Sequence, residues 1–311
     1  MRILVTGGAG FIGSQVTKAY AAAGHDVAVI DNLSSGLRTN LSDKVQFFEA
    51  DIRDASKVKQ FVAKFRPEIL NHHAAHLSVS ESVQDPRSDA DINLLGFLTI
   101  IEAARPYLKR VIVASSGGVV YGDAQQIPTP ESHPTAPISP YGVAKLAMEQ
   151  YLHFYHVQYG LEWVGLRYAN VYGPYQNPKG ETGVIAVFLD QIANGVQPRI
   201  LGDGKQTRDY VFVRDVVAAN VCALEHGRGA YNIGTGIETS VIELFGKLQV
   251  AFGTSLPEIH GPARPGEQQR SSLDAARASE ELGWKPGVDL ADGLGQTVAW
   301  YKQAFSSNIE G

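Results

Sequence analysis

Short apolar runs alternate with amphipathic stretches through the first half of the chain. Residues 2–6, 26–30, 45–49, 69–72, 111–115 and 163–167 read as strands. Between them, residues 12–23, 56–65, 91–104 and 143–159 carry helical periodicity. Such alternation implies right-handed crossovers and a parallel sheet with helices on both faces, an α/β doubly wound fold.

Past Arg167 the texture changes. Residues 172–183 (YGPYQNPKGETG), 202–208 and 260–269 are rich in Gly, Pro and charge and read as loops. The expected division is a nucleotide-binding domain over 1–168 and a smaller, mixed α/β substrate domain over 169–311. RDYVFVRDV at 208–216 looks like chain heading back to the first domain, a return expected over 208–234.

The first strand runs into Gly8-x-Gly10-x-x-Gly13, with Gly7 ahead of it, and a helix follows. In that context the glycines let a dinucleotide pyrophosphate approach the unpaired N–H groups and partial positive charge of a helix start. Asp31 ends the second strand, where a carboxylate accepts the adenosine ribose hydroxyls and repels a 2′-phosphate, favouring NAD. It also suits a cap for the DNLSSG turn, and Arg38 leaves NADP open. Asp51 follows the third strand and reads as an adenine neighbour, as an N-cap partner of Asp54, or as both.

Tyr141 and Lys145 stand four apart at the head of a helix and share a face. A phenol of pKa ~10 is a poor base at neutral pH, and an adjacent ammonium favours its ionised form. Ser115 and Ser116 lie at the C-terminal end of a strand, where ligands bind in parallel sheets and a hydroxyl can relay a proton to Tyr141.

Charge and composition narrow the field. A net charge of −5 without basic runs argues against a nucleic-acid surface. The single cysteine, Cys222, precludes an intrachain disulfide or a multi-cysteine zinc site, and its NVCAL setting suggests a small buried packing residue. His72, His73 and His76 with Glu81 do not make a convincing ligand set, so no metal is expected. No apolar run reaches the ~18 residues of a membrane span. MRILVTGG leads straight into a strand, and a cytoplasmic enzyme is the expectation.

Several longer segments resemble the extended short-chain dehydrogenase/reductases, and among them the UDP-glucose (UDP-galactose) 4-epimerases. They are TGGAGFIG (6–13), DNLSSG (31–36), Asp51-Ile52-x-Asp54, HHAAHLSVSES (72–82), Asn93, SSGGVVYG (115–122), SPYGVAK (139–145), LRYANVYGP (166–174), RDYVFVRDV and RPGE (264–267). The resemblance spans essentially the full length and implies a Rossmann-type domain holding NAD. It assigns NAD to Gly7, Gly10, Phe11, Ile12, Gly13, Asp31, Asn32, Asp51, Ile52, Ala74, Ala75, Asn93, Tyr141 and Lys145.

It further implies that Tyr141 takes the proton of a sugar 4-hydroxyl while hydride passes from C4 to NAD⁺. The 4-keto sugar then turns over and receives hydride on its other face, with no net redox change. Asn170, Arg208 and Arg264 match diphosphate contacts, and Glu267 matches a uridine-ribose contact. Ser271 aligns beside the sugar 2-substituent, where a small residue leaves room for an N-acetyl group. Many relatives carry the catalytic Ser/Thr where this chain has Gly117, so the role moves to Ser116. Gly117-Gly118 also replaces the Asp-Glu pair of nucleotide-sugar dehydratases, and Leu77 stands where some epimerases have lysine.

Family habit implies a homodimer through the helices at 91–104 and 143–159, the latter presenting Leu146, Tyr151, Phe154, Tyr155 and Gln158. The rival readings are a UDP-hexuronate epimerase, a 4-keto-sugar reductase, or an NAD-sensing regulator, of which the last typically lacks the Tyr/Lys pair.

Overall fold

The computed structural model describes residues 1–177, 183–263 and 268–305. Its elements run β1 (Arg2–Thr6), α1 (Phe11–Ala22), β2 (Asp26–Asp31), β3 (Gln46–Glu49), α2 (Ala55–Phe65), β4 (Ile69–His72), α3 (Val79–Gln84), α4 (Pro86–Ala90), α5 (Gly96–Ala104), β5 (Arg110–Ser116), α6 (Gly117–Val120) and α7 (Pro140–Tyr159). There follow β6 (Glu162–Tyr168), β7 (Asn170–Tyr172), α8 (Val184–Ala193), β8 (Ile200–Leu201), β9 (Thr207–Arg208), β10 (Tyr210–Phe212), α9 (Val213–Cys222), β11 (Gly229–Ile233), β12 (Thr239–Ser240), α10 (Val241–Phe252), β13 (His260–Gly261) and α11 (Leu290–Phe305).

Seven strands form one parallel sheet in the order β11-β6-β5-β4-β1-β2-β3. Period-two alternation sends successive side chains to opposite faces, which is why these strands read as unbroken apolar runs. Ile3, Val5, Val27 and Val29 join one core with Val16 and Tyr20 of α1 and Val216 and Ala219 of α9. Leu4, Ala28 and Ile30 join the other with Val58 and Val62 of α2, Phe97 and Ile101 of α5, and Met148 and Leu152 of α7. Chain order reverses around β1, which lies between β2 and β4, so a crevice opens beyond their C-terminal ends.

After β6 the chain leaves the large sheet. β7 pairs in parallel with β10, and α8, α10 and α11 build a separate core around Phe188, Leu189, Leu244, Phe245, Leu248 and Leu294. It then re-enters as α9, packed on α1, and as β11, whose Tyr231 lies opposite Leu166 of β6.

Helix starts differ from the periodic reading. The expected 143–159 helix begins at Pro140, because Ser139 Oγ accepts the Gly142 N–H at 3.2 Å and proline suits the first helical position. The 91–104 helix continues from Pro86 through a π-helical stretch at 91–95, and Asp85 caps its start. Cys222 is half-buried, packed at the edge of the α1/α9 core, not fully enclosed as its apolar neighbours suggested. No helix among the described residues is long and apolar enough to cross a membrane.

Candidate active site

The glycine turn is shaped by close approach. Gly7 has φ +66°, and a Cβ there would lie 2.6 Å from the Ala74 backbone nitrogen, on the loop after β4. A Cβ on Gly13 would overlap the Gly7 carbonyl oxygen. Gly10 is the N-cap of α1 and brings no side chain to the exposed N–H groups of the first turn. Those donors therefore face the crevice unscreened, as a pyrophosphate requires. The turn opens into a cavity of about 930 Å³ shared with residues of β5, α7, β7 and the loop beyond it. A cradle too tight for Cβ atoms, with free helix donors and a buried carboxylate beside it, fits a dinucleotide.

That carboxylate is Asp31. Its oxygens accept the Ala9 N–H at 2.9 Å and the Leu33 N–H at 2.8 Å, so it fixes the glycine turn and caps the following loop while lining the cavity. Arg38 does not line the cavity; its guanidinium lies over the Phe47 ring at 5.0 Å. The two readings of Asp51 separate cleanly. Asp54 alone caps α2, accepting the Lys57 N–H, while Asp51 receives a two-pronged ion pair from Arg53 and a hydrogen bond from Asn32. The Arg53 hydrogen bonds hold the Asp51 carboxyl down at about 2.

Tyr141, in the first turn of α7, lines the same cavity as the glycine turn. Lys145 follows one turn later, 2% exposed, with Nζ 5.6 Å from the Tyr141 ring centre. Burial draws its ammonium down to about 8, against the opposing charges of Asp89 and Glu149. The phenol departs from the sequence expectation. Burial, and then the Asp89 charge, push Tyr141 above its ordinary value, so proximity to Lys145 alone does not ionise it.

The two serines part company. Ser115 is buried and donates to Glu149 Oε1 at 2.5 Å. Ser116 makes no such bond to Glu149 and its side chain does not cap α6, and both serines line the cavity. Ala74 and Ala75 also line the cavity, as do Phe11, Ile12, Asn32 and Ile52. Asn93 does not. Its amide instead clamps the loop after β4, accepting the His76 N–H at 2.8 Å and donating to the His76 carbonyl at 3.0 Å. His72 is fully buried and paired with Thr6, His76 with Glu81, and His73 stacks against Tyr168.

Of the residues matched to substrate, Asn170 lines the cavity while Arg208 and Ser271 do not. Arg208 donates to the Thr207 carbonyl at 2.8 Å. Arg264 and Glu267 lie outside the described residues. Sequence reasoning did not single out Tyr175, Gln176, Val184, Ile185 and Tyr210, all on the cavity wall. Tyr175 is notable for φ +72° and for Lys18 Nζ 4.1 Å from its ring. The YGPYQN loop was visible as a loop, but its approach to the glycine turn depends on the packing of the smaller core.

The chain matches the NAD dependent epimerase/dehydratase family over residues 3–234. It is 46% identical over 311 residues to a UDP-glucose 4-epimerase of Mycolicibacterium smegmatis, covering 97% of this chain and 99% of that one. The UDP-glucose 4-epimerase of Thermotoga maritima, solved with UDP-glucose, superposes with a TM-score of 0.96 at 44% identity, covering 98% of this chain and 100% of that one. The UDP-glucose 4-epimerase of Thermus thermophilus, solved in complex with NAD, gives 0.93 at 42%, with the same coverage of 98% and 100%. With its glycine cradle, its Tyr/Lys helix and full-length likeness of this order, the chain belongs to the NAD dependent epimerase/dehydratase family.

Proposed function

We propose that this protein is an NAD-dependent 4-epimerase of UDP-hexoses, with UDP-glucose and UDP-galactose as the interconverted pair. The observation that carries the reading is that Tyr141, Lys145 and Ser116 line the same cavity as the glycine turn, with Gly117 and Gly118 where a dehydratase would hold its acid–base pair. NAD, held by the glycine cradle and Asp31, would supply the acceptor and donor of hydride at sugar C4.

The chain's own residues do the rest. Tyr141 removes the proton of the 4-hydroxyl and restores it after the sugar has turned. Ser116 hydrogen-bonds the same oxygen and lowers the cost of moving that proton. Lys145 brings positive charge beneath the phenol and opposes the burial that keeps it protonated, with the cationic nicotinamide ring adding to the effect. Asp31 holds the adenosine ribose. Asn170, Arg208 and Arg264 hold the diphosphate, where guanidinium forks match phosphate oxygens, and Glu267 holds the uridine ribose.

We further propose a homodimer. Val143, Tyr151, Phe154 and Val157 are exposed along one stretch of α7, and Leu95 is exposed just before α5. Tyr155, expected on that surface, packs inward and donates to Glu102, which narrows the apolar stripe to its neighbours. A cytoplasmic setting is consistent with the one unpaired cysteine and with a nucleotide-dependent reaction.

Proton NMR of the purified protein with UDP-glucose, UDP-N-acetylglucosamine and UDP-glucuronate, each alone and without added cofactor, tests the assignment. Appearance of the galacto anomeric signal at constant cofactor supports it. Stoichiometric consumption of added NADH by a keto sugar, with no epimerisation, assigns a reductase instead.

A further inference from the structure

Beneath the cavity floor lies a buried ion pair that the proposed chemistry leaves unused. Glu149, one turn beyond Lys145 on α7, is 3% exposed, and Arg167 of β6 is 6% exposed. Arg167 Nε donates to Glu149 Oε1 at 3.0 Å and one terminal nitrogen donates to Oε2 at 2.6 Å, a planar fork-to-fork pairing. Each partner has a hydrogen bond left over, and the two go to opposite ends of one short segment. Glu149 Oε1 accepts from Ser115, immediately before Ser116. The other Arg167 terminal nitrogen donates to the Tyr121 hydroxyl at 2.8 Å, immediately after α6, and Tyr121 passes its own proton on to Asn232 at 2.8 Å.

The segment between these anchors is Ser116-Gly117-Gly118-Val119-Val120. Its two glycines offer no side chain to fix it, and Leu273 packs so closely on Gly117 that a Cβ would overlap it. Ser116 ends β5 opposite Tyr168, and the two glycines that follow bring no side chain to fix the direction the chain takes as it leaves the sheet. We propose that the Glu149–Arg167 pair is a positioning device for Ser116, gripping the segment through Ser115 on one side and Tyr121 on the other.

The inference rests on the role given to Ser116 above. Removing either ion-pair member would leave a buried charge uncompensated and endanger folding, so the anchors are the better targets. Ser115→Ala and Tyr121→Phe each delete one hydroxyl and leave the pair intact. Expected for each is a folded protein with kcat lowered about tenfold and KM little changed, since a misplaced group affects the chemical step. The decisive measurement is the double-mutant cycle with Ser116→Ala. Groups that act only through Ser116 lose their effect once it is gone, so Ser115→Ala/Ser116→Ala and Tyr121→Phe/Ser116→Ala should match Ser116→Ala alone.

A slow Ser116→Ala beside folded Ser115→Ala and Tyr121→Phe with unchanged kcat overturns the positioning role and leaves the function standing. So do anchor losses that multiply in full with that of Ser116→Ala. Unchanged kcat in Ser116→Ala overturns both the assignment of Ser116 and this proposal.

Discussion

Lys145 Nζ donates to the Ala114 carbonyl oxygen at 2.8 Å, and not to Glu149 one turn along the same helix, whose oxygens are taken by Ser115 and Arg167. The ammonium is thus buried against a neutral acceptor at the end of β5. Burial there makes its charge easier to lose, against the opposing charges of Asp89 and Glu149.

This gives Lys145 a pH signature. Its folded pKa, about 8, lies below the ordinary 10.5. The unfolded chain therefore binds more protons than the folded one across that interval, and this group's contribution to stability rises with pH between the two values. The gap in Tm between wild type and Lys145→Met, measured without ligand, should shift in favour of wild type from pH 8 to pH 10. A pH-independent gap would show that folding leaves the lysine at its ordinary pKa.

Tyr141→Phe keeps the ring and removes the proton carrier. Expected is a fall in kcat of about 10³-fold with NAD content and KM for UDP-glucose little changed. Initial rates by a coupled galactose-forming assay, with cofactor measured by absorbance, check it. Activity within twofold of wild type would remove the phenol from the mechanism.

At Gly7, alanine meets both a positive φ and the backbone of Ala74. Strain of this kind costs on the order of 1–3 kcal/mol, and the overlap moves the loop that follows β4. Gly7→Ala should lower the urea midpoint and purify with markedly less NAD, while Gly24→Ala, also at positive φ but with open space around it, should keep its NAD.

Ser271 is assigned to substrate breadth by resemblance alone. The small residue should permit turnover of UDP-N-acetylglucosamine, and Ser271→Tyr should suppress it by at least about tenfold while sparing UDP-glucose, through steric exclusion of the N-acetyl group. A wild-type enzyme inert toward UDP-N-acetylglucosamine, under conditions where it epimerises UDP-glucose, would falsify the assignment.

Legibility followed the range of the forces involved. The glycine turn could be read because strand, turn and helix are contiguous, and each glycine answers a local demand. Tyr141 and Lys145 could be paired because helical geometry puts i and i+4 together whatever the surroundings. Ser115 and Ser116 could not be separated, since nothing local distinguishes adjacent hydroxyls at a strand end. Glu149, 34 positions away, gives the two hydroxyls different surroundings by accepting the Ser115 hydrogen bond. Asn93 was read as a cofactor contact and found as a clamp on the His76 backbone for the same kind of reason.

By itself the order of residues determined the doubly wound architecture and the nucleotide cradle, because periodicity, turn geometry and helix spacing act over a few bonds, and it carried the resemblance that implies the family chemistry. Only the folded molecule decided that burial raises the Tyr141 phenol, that Tyr155 turns inward, and that Glu149 pairs with Arg167 of β6. Those outcomes depend on desolvation and on contacts between segments tens to hundreds of residues apart, and no local pattern encodes them.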